Sequence, residues 1–319
     1  MQDSFKREIN YLRISVTDLC NLRCRYCMPE DGVEKFSHDR ILSVEEIAEI
    51  TSVCAELGVN KVRLTGGEPL VRKGIFDICR EISKIPGIKE LCITTNGLLL
   101  KQTASELKAA GVDRLNISID TLKNQKYKEL TRCKFSERPV DEIFEGIEAA
   151  KTAGFQNIKL NAVLIGGTND DEINDFVALT EMEDYQIRFI ELMPIGEAMN
   201  WEKSCFIPNE TVLSKDSRLT KIGESGVATL YQVPGYKGCI GLISPVNHHF
   251  CSHCNRLRLT ADGKLKACLH SRFETPVRGL HGEELKAAIA KQIAEKPENY
   301  DLGYDNPSST LRNMNQIGG

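Results

Sequence analysis

The chain lacks the features that mark several classes of protein. Its 319 residues contain no apolar run long enough to cross a bilayer, which excludes a helical membrane protein. Because the first residues are polar, we expect no secretory signal, no membrane partner and a cytoplasmic location. The formal net charge is −4 and no stripe of aromatic and basic residues occurs, which excludes a generally basic nucleic-acid binder. What remains is a composition, 41% hydrophobic and 27% charged, that is typical of globular proteins.

Cysteine, by contrast, is abundant. The chain has 12 cysteines, and without a secretory signal they are not expected to form a disulfide framework. Cys20, Cys24 and Cys27 have the spacing C-x3-C-x2-C and no fourth Cys or His close behind them, as a zinc site usually requires. Three thiolates are natural ligands of an iron–sulfur cluster, in which they leave one iron open. The spacing resembles that of radical S-adenosylmethionine (SAM) enzymes, in which the open iron binds SAM and an electron from the cluster cleaves it.

A second set of three cysteines lies near the other end of the chain. Cys251 and Cys254 precede Cys268 by one predicted hairpin, which would fold Cys268 back beside the first two. Three ligands again leave one iron of a cluster open. Alternatively, His253 or His270 could complete a zinc site, and the cysteine pattern alone does not decide between the two.

Several cations lie in strand segments that are otherwise apolar. They are Arg13, Arg63, Lys159, Arg256 and Arg258. Arg256 and Arg258 alternate along one strand, so they point to the same face, and paired guanidinium groups suit a polyphosphate. A buried cation without an anionic partner would be costly, so the set favours a triphosphate ligand. Structural salt bridges with Glu68 or Asp120 are the alternative.

The first two thirds of the chain alternate strand and helix patterns. The predicted strands are 12–17, 61–65, 91–95, 114–120, 158–165 and 187–193, and the last helix between them is predicted over 171–182. Short apolar strands separated by amphipathic helices imply parallel pairing with right-handed crossovers. Because the pattern changes after residue 196, we expect an α/β fold. It comprises a partial (β/α)6 TIM-type barrel over 1–196 and an appended C-terminal region, carrying the second cysteine set and the tail, over 197–319. Sites in such folds gather at the carboxyl ends of the strands.

Taken together, these motifs resemble the GTP 3′,8-cyclase family of radical SAM enzymes, lyases that act in molybdenum cofactor biosynthesis. The two cysteine sets, the run 254–269 and the terminal Gly318-Gly319 carry the resemblance, which extends from about Tyr11 to the end of the chain. It implies that a 5′-deoxyadenosyl radical abstracts the 3′ hydrogen of GTP. The resulting carbon radical attacks guanine C8 and, after reduction, gives 3′,8-cyclo-7,8-dihydro-GTP.

The resemblance also implies cofactors and site residues. Two [4Fe–4S] clusters are expected, one on Cys20, Cys24 and Cys27 for SAM, the other on Cys251, Cys254 and Cys268 beside the guanine. The implied SAM contacts are Tyr26, Gly67, Ser118 and Met193. The implied GTP contacts are Arg13, Arg63, Thr94, Lys159, Arg256, Leu257 and Arg258. Gly318 and Gly319 are expected to reach the active site and to act in catalysis.

The implied partners follow from the same chemistry. They are the GTP substrate, an electron donor of unknown identity and, by pathway, a downstream cyclic pyranopterin monophosphate synthase; the chain itself is expected to be a monomer or homodimer. Two other functions stay open. One is a radical SAM peptide-modifying enzyme with an auxiliary cluster, although such enzymes usually carry more C-terminal cysteines. The other is a non-catalytic, zinc-organised binding module, for example for RNA, against which the negative net charge weighs.

Overall fold

Strands and helices alternate through the first two thirds of the chain, as the sequence predicts. A computed structural model describes residues 1–34, 36–37 and 40–318. The strands are β1 (Tyr11–Ser15), β2 (Lys61–Thr65), β3 (Glu90–Thr95), β4 (Arg114–Ser118), β5 (Lys159–Leu164), β6 (Gln186–Glu191), β7 (Thr220–Ser225), β8 (Ala228–Gln232), β9 (Cys239–Ile243), β10 (Arg256–Leu259), β11 (Lys264–Lys266) and β12 (Thr275–Pro276). The α-helices are α1 (Val44–Glu56), α2 (Ile75–Ser83), α3 (Leu100–Ala109), α4 (Asn124–Thr131), α5 (Pro139–Thr152), α6 (Ile173–Ala178), α7 (Glu210–Lys215), α8 (Gly282–Ala294) and α9 (Met314–Ile317).

The six predicted strands are β1 to β6, and they pair side by side in chain order. Each of these pairings is parallel, which confirms the predicted crossover topology. The register places Arg13 beside Arg63, and Arg63 beside Cys92. Residues that are paired across neighbouring strands therefore face the same side of the sheet, and so do residues two positions apart on one strand.

The region after residue 196 extends both edges of this sheet. β9 pairs in parallel with β6, and β8 and β7 follow it in antiparallel order. At the other edge, β10 pairs in parallel with β1, and β11 and β12 follow. The predicted boundary at residues 196 and 197 thus separates two stretches of sequence that share one 12-stranded sheet.

The two faces of each central strand differ in chemistry. Leu12 and Ile14 on β1 are fully buried in the hydrophobic core beneath the helices. Burying each such side chain contributes roughly 1.5–3 kcal/mol. Arg13, between them, lines the interior of the barrel instead. The helices cover the outer face, and the barrel interior is left polar.

One predicted helix is shorter than expected. The pattern over 171–182 becomes a 3₁₀ turn followed by α6, which ends at Ala178. Beyond Ala178 the α-helical pattern gives way to turns, in which the amides of Thr180 and Glu181 donate to Val177 O and Ala178 O, three residues back. The carbonyls of Thr180 and Glu181, which would lack a partner within a helix ending at residue 182, accept hydrogen bonds from the backbone amides of Gly238 and Lys237 at 2.9 and 3.3 Å. No helix within the described ranges combines the length and apolar character needed to span a membrane.

Candidate active site

A single cavity of about 510 Å³ inside the barrel is lined by both cysteine sets. Most of the site residues that the sequence indicates line it as well: Arg13, Cys20, Cys24, Tyr26, Cys27, Arg63, Gly67, Thr94, Ser118, Lys159, Met193, Cys251, Cys254, Arg256, Arg258 and Cys268. Leu257 does not line it, because alternation along β10 turns this side chain into the hydrophobic core. Gly319 lies outside the described residues.

The two cysteine sets lie at opposite ends of neighbouring strands. Cys20 follows the carboxyl end of β1, whereas Cys254 directly precedes the amino end of β10. These two strands are parallel, with Tyr11 beside Arg256. The cysteine sets are therefore separated by the length of the strands, with the polar interior between them. We call residues 20–27 the first cysteine loop and residues 251–254 the second cysteine loop.

A glycine turn after β2 holds the first cysteine loop. The amide of Gly67 donates to Thr17 O, and the amide of Glu68 donates to Leu19 O, each at 2.8 Å. A Cβ on Gly67 would collide with the Leu19 carbonyl. The glycine is thus required for close backbone packing against the loop that carries the first thiols.

The C-terminal end of α4 holds the other side of the same loop. The amides of Arg23 and Arg25 donate to Thr131 O and Leu130 O, each at 2.9 Å. Arg132, in the left-handed conformation with φ 51°, donates from Nη1 to Arg23 O at 3.0 Å. The sequence analysis did not single out Arg132, because its carbonyl partner is remote in sequence.

Glu68 and Asp120, two buried carboxylates near this loop, are already hydrogen-bonded. Glu68 accepts from the backbone of Leu70 and Asn96 and from the Thr95 hydroxyl. Asp120 accepts from Tyr26 Oη and from the amide of Val163, each at 2.8 Å. Burial raises the pKa of Glu68 to about 7 and that of Asp120 to about 6, despite these hydrogen bonds.

The thiols of the first set favour a positively charged ligand. Burial raises the pKa of Cys24 well above its usual value, and the neighbouring charges of Cys27 and Cys20 raise it further. Burial also raises the pKa of Cys27 to about 12, with Cys20 contributing. Three thiolates here would repel one another, and a bound cationic metal group relieves that repulsion.

The second cysteine set lies among fixed positive charges. Burial opposes the thiolate of Cys254, but the charges of Lys296 and Arg256 outweigh it and the pKa is lowered. Lys296 Nζ itself donates to Arg256 O at 3.0 Å and to Ala267 O, so it joins the two strands of the hairpin beside Cys268. Burial and the neighbouring thiols raise the pKa of Cys251, so of these two cysteines only Cys254 is favoured as a thiolate.

Neither histidine completes a compact metal site with the second set. Burial and the charge of Arg258 lower the pKa of His270 to about 3, and its ring stacks on Tyr300 with centroids 4.9 Å apart. His253 Nδ1 contacts the hydroxyl of Ser252 at 2.9 Å. In the described part of the chain, no three His, Cys, Asp or Glu side chains form a group that could hold a metal ion. In a cluster of several irons the thiolates bind different irons, so the cysteines fit such a cluster without converging on one point.

The barrel interior between the two cysteine loops is strongly cationic. The cations that line it are Arg13, Lys61, Arg63, Arg114, Lys159, Arg188, Arg256, Arg258 and Lys296. Lys61 and Arg114 form salt bridges with Glu90. Within the described ranges, neither Arg63 nor Lys159 forms a salt bridge, so the alternative pairing of these two residues with Glu68 or Asp120 is not found. This excess of positive charge suits a polyanionic ligand.

The cations perturb one another's protonation. Burial lowers the pKa of Lys159 to about 7, with the charges of Arg188 and Arg114 adding to the effect. Burial raises the pKa of Tyr11, but Arg63, which donates to Tyr11 Oη and Thr94 Oγ1, outweighs it. Together with other arginines, Arg63 brings the pKa of Tyr11 to about 8. An anion bound here would restore the protonated form of Lys159.

Sequence reasoning missed several of these residues. Lys61, Arg114 and Arg188 lie at alternate strand positions that face the cavity, as Arg63 and Lys159 do. A systematic search of alternating strand positions would therefore have found them. Tyr11, two positions before Arg13 on β1, faces the cavity in the same way and would have been found by the same search. Lys296 carries no comparable signal, because its position depends on contacts with another segment.

The C-terminal tail enters the same region. Arg258 Nη1 donates to Gly318 O at 2.6 Å, and Asn315 Nδ2 donates to Asp18 O at 3.0 Å, just before the first cysteine loop. Gly318 has φ 64°, and a Cβ there would collide with Thr65 Oγ1. Only glycine suits this position. The tail thus connects an arginine of β10 to the other end of the barrel.

Comparison with known proteins identifies the family. Residues 14–180 match the model of the radical SAM superfamily, and residues 185–302 match that of Molybdenum Cofactor Synthesis C. The GTP 3′,8-cyclase of Alkaliphilus metalliredigens is 49% identical over 100% of both chains. That of Peptoclostridium acidaminophilum is 48% identical over 99% of this chain and 98% of its own. The chain belongs to the GTP 3′,8-cyclase family. It is therefore a radical SAM enzyme, dependent on SAM and iron–sulfur clusters.

Solved structures with the same fold are more distant in sequence. Streptococcus suis SuiB has a TM-score of 0.58 and 16% identity, covering 91% of this chain and 66% of its own. The structure of anSMEcpe with bound AdoMet has a TM-score of 0.57 and 14% identity, covering 91% of this chain and 82% of its own. At these identities the likeness shows the shared fold.

Proposed function

We propose that this protein converts GTP to (8S)-3′,8-cyclo-7,8-dihydroguanosine 5′-triphosphate, the first step of molybdenum cofactor biosynthesis. The observation that carries the proposal is the arrangement of the cavity. Two sets of three cysteines lie at opposite ends of the paired strands β1 and β10, and the space between them is lined by cations. The curated relatives favour this function over a peptide-modifying enzyme or a zinc-organised binding module.

At the carboxyl ends of the strands, Cys20, Cys24 and Cys27 would hold the first [4Fe–4S] cluster. With SAM bound, that cluster supplies the electron that generates the 5′-deoxyadenosyl radical. The residues assigned to SAM are Tyr26, Gly67, Ser118 and Met193, all of which line this part of the cavity. The hydrogen bond from Tyr26 to Asp120 fixes the loop between two of the thiols.

At the amino ends of the strands, Cys251, Cys254 and Cys268 would hold the second cluster beside the guanine of GTP. The triphosphate would be bound by Arg13, Arg63, Thr94, Lys159, Arg256 and Arg258, all of which line the cavity. Guanidinium groups bind phosphate oxygens in pairs, and the strand register fixes Arg13 beside both Arg63 and Arg258.

The chain's own contribution is to position the substrate and to exclude water. Holding the ribose between two fixed ends of a cavity converts hydrogen abstraction into an intramolecular step. A narrow cavity also keeps stray hydrogen donors from the radical. Gly318, held by Arg258, would close this cavity near the reacting atoms. A one-electron donor completes the reaction in the cytoplasm, and cyclic pyranopterin monophosphate synthase would consume the product.

The proposal is tested by anaerobic incubation with SAM, dithionite and each nucleoside triphosphate in turn, with mass analysis of the products. Of the nucleoside triphosphates, we expect only GTP to be converted, to an isomer that has the same mass as GTP, and we expect 5′-deoxyadenosine and methionine to form with it. The preparation should be brown, with about eight irons per chain. Because the product has the mass of GTP, chromatography must first separate the two. Formation of 5′-deoxyadenosine without a new chromatographic peak of GTP mass would contradict the substrate assignment, and a colourless zinc protein would contradict the reaction class.

A further inference from the structure

The second cysteine loop is fastened to the segment before β1 by the side chain of Arg7. Arg7 Nη1 donates to Cys251 O at 2.7 Å and to Glu298 O at 2.7 Å. Its Nη2 donates to Pro297 O at 2.6 Å. One guanidinium group therefore links the carbonyl of a cysteine in the second set to the chain that follows α8.

Arg7 is itself held in place by Asp3. Arg7 Nε donates to Asp3 Oδ2 at 2.6 Å, and the two side chains are only 7% and 0% exposed. The other carboxylate oxygen, Asp3 Oδ1, accepts from the amides of Phe5 and Arg7, each at 2.9 Å. A buried, planar guanidinium with donors engaged in several directions has one orientation, which a lysine ammonium group cannot reproduce.

Two further contacts bind the rest of this region to the same framework. The amides of Asn10 and Tyr11 donate to Asn255 O at 3.3 and 3.2 Å, directly after the second cysteine loop. Lys296 secures the hairpin beside Cys268. Cys251 is the first residue of the second cysteine loop, and its carbonyl accepts the hydrogen bond from Arg7.

We propose that Arg7 is a positioning residue for the second iron–sulfur cluster. It sets the place of Cys251 through the carbonyl of that residue and does not contact the substrate. The inference rests on the assignment of a cluster to Cys251, Cys254 and Cys268 in the proposed function. It goes beyond that assignment, because it gives a specific task to an arginine 244 positions away in sequence.

The molecule provides a matched counterpart at the other cysteine set. Arg132 Nη1 donates to the carbonyls of Arg23 and Met28, which flank Cys24 and Cys27, at 3.0 and 3.4 Å. Arg7 and Arg132 thus both hold a cysteine loop by its carbonyls, one at each end of the barrel. Each serves as the control for the other.

The test compares Arg7→Ala, Arg7→Lys and Arg132→Ala with the wild type as full-length, anaerobically reconstituted proteins. Iron and sulfide per chain are measured, together with the electron paramagnetic resonance (EPR) spectrum after reduction. For Arg7→Ala we expect iron to fall from about eight to about four per chain, with the SAM-responsive signal retained. SAM cleavage in the absence of GTP should continue at the wild-type rate. Arg7→Lys should lose the same cluster, because the ammonium group cannot engage three carbonyls and Asp3. Arg132→Ala should instead weaken the SAM-responsive signal.

Two results would overturn the inference. One is an Arg7→Ala protein with full iron content and both wild-type spectra. The other is equal loss of both clusters in Arg7→Ala, which would make Arg7 a general stability residue. If Arg7→Ala does not fold, Asp3→Asn decides the question, because it loosens Arg7 while retaining a hydrogen-bonding side chain. A wild-type protein that binds only four irons would refute the underlying cluster assignment instead.

Discussion

Main-chain hydrogen bonds predominate at the first cysteine loop, whereas charged side chains of remote segments contribute more at the second. Around the first loop, the amides of Gly67, Glu68, Arg23 and Arg25 take part in short backbone contacts, and Arg132 adds a side-chain contact. Around the second, the guanidinium of Arg7 and the ammonium of Lys296 act together with the backbone hydrogen bonds of Asn10 and Tyr11 to Asn255 O. The second loop therefore depends more than the first on charged groups supplied by other parts of the chain.

The electrostatic surroundings of the two loops differ in the same way. The first set lies beside the carboxylate of Asp120, and burial together with the neighbouring cysteines raises the pKa of Cys24. In the second set, the charges of Lys296 and Arg256 lower the pKa of Cys254, whereas burial raises that of Cys251. The cavity thus has buried carboxylates at one end and an excess of cations at the other, which we call the positive end. An anionic substrate is expected at the positive end.

The largest expected effect comes from removing one thiol at either end. Cys24→Ala should abolish SAM cleavage, because it removes a proposed ligand of the first cluster. Cys268→Ala should leave SAM binding intact and eliminate the cyclised product. Chromatography measures 5′-deoxyadenosine and separates the cyclised nucleotide from GTP, and mass analysis identifies both compounds. Continued 5′-deoxyadenosine formation by Cys24→Ala, or normal product from Cys268→Ala, would refute the respective assignment.

Deleting Gly318 and Gly319 should follow in size. We expect turnover to fall by about 10²-fold or more, as for loss of a well-placed active-site contact. Fold and iron content should not change, because the deletion leaves the anchor of Asn315 on Asp18 in place. Steady-state turnover with iron analysis checks this prediction. Wild-type turnover in the truncated protein would show that the tail has no part in the reaction.

Gly67→Ala probes the backbone packing that holds the first loop. The added Cβ collides with the carbonyl of Leu19, so we expect a loss of about 2 kcal/mol or more in the free energy of unfolding. Iron should be lost from the first cluster only. Gly303→Ala is the matched control, since nothing lies within 4 Å of its added Cβ. Thermal unfolding and iron analysis of both variants measure the difference, and equal behaviour would contradict the proposed packing role.

The smallest effect concerns pH and the positive end of the barrel. Burial, aided by Arg188 and Arg114, lowers the pKa of Lys159 to about 7. The free enzyme therefore loses this proton above about pH 7, whereas a bound triphosphate favours the charged form. GTP binding should weaken as pH rises through this range, by up to about tenfold per pH unit.

Equilibrium binding of GTP by the wild type and by Lys159→Arg at several pH values provides the check. The arginine variant keeps its charge, so its binding should change less with pH. Titration of GTP itself is common to both proteins and cancels in the comparison. Parallel pH profiles for the two proteins would remove Lys159 from the phosphate site.

Local patterns account for what the sequence predicts correctly about the fold. The strand 61–65 is found as predicted, because its apolar alternation and the following glycines are both contained in a short window. The helix predicted to reach residue 182 ends at Ala178 instead, and the turn that follows it bonds to Gly238 and Lys237, which are remote in sequence. Secondary structure is predictable here to the extent that its causes are local.

The same distinction between local and remote causes applies to the residues of the candidate site. The cysteine sets and the cations on strands are visible from spacing and parity, and they line one cavity in the structure. Arg7 and Arg132 are not visible in this way. Each donates to a backbone carbonyl more than 100 positions away. Because every residue has such a carbonyl, the sequence does not indicate which one is the partner. Leu257 shows the limit of transferring a whole motif, because its side chain faces the core while its neighbours face the cavity.

The central claim is that SAM and GTP bind to different clusters at opposite ends of one cavity. EPR spectra of reduced Cys24→Ala and Cys268→Ala, each titrated with SAM and with GTP, test it most directly. We predict that GTP changes the signal retained in Cys24→Ala and that SAM does not, while SAM changes the signal retained in Cys268→Ala. If both ligands perturbed the same cluster, the two-ended arrangement proposed here would be wrong.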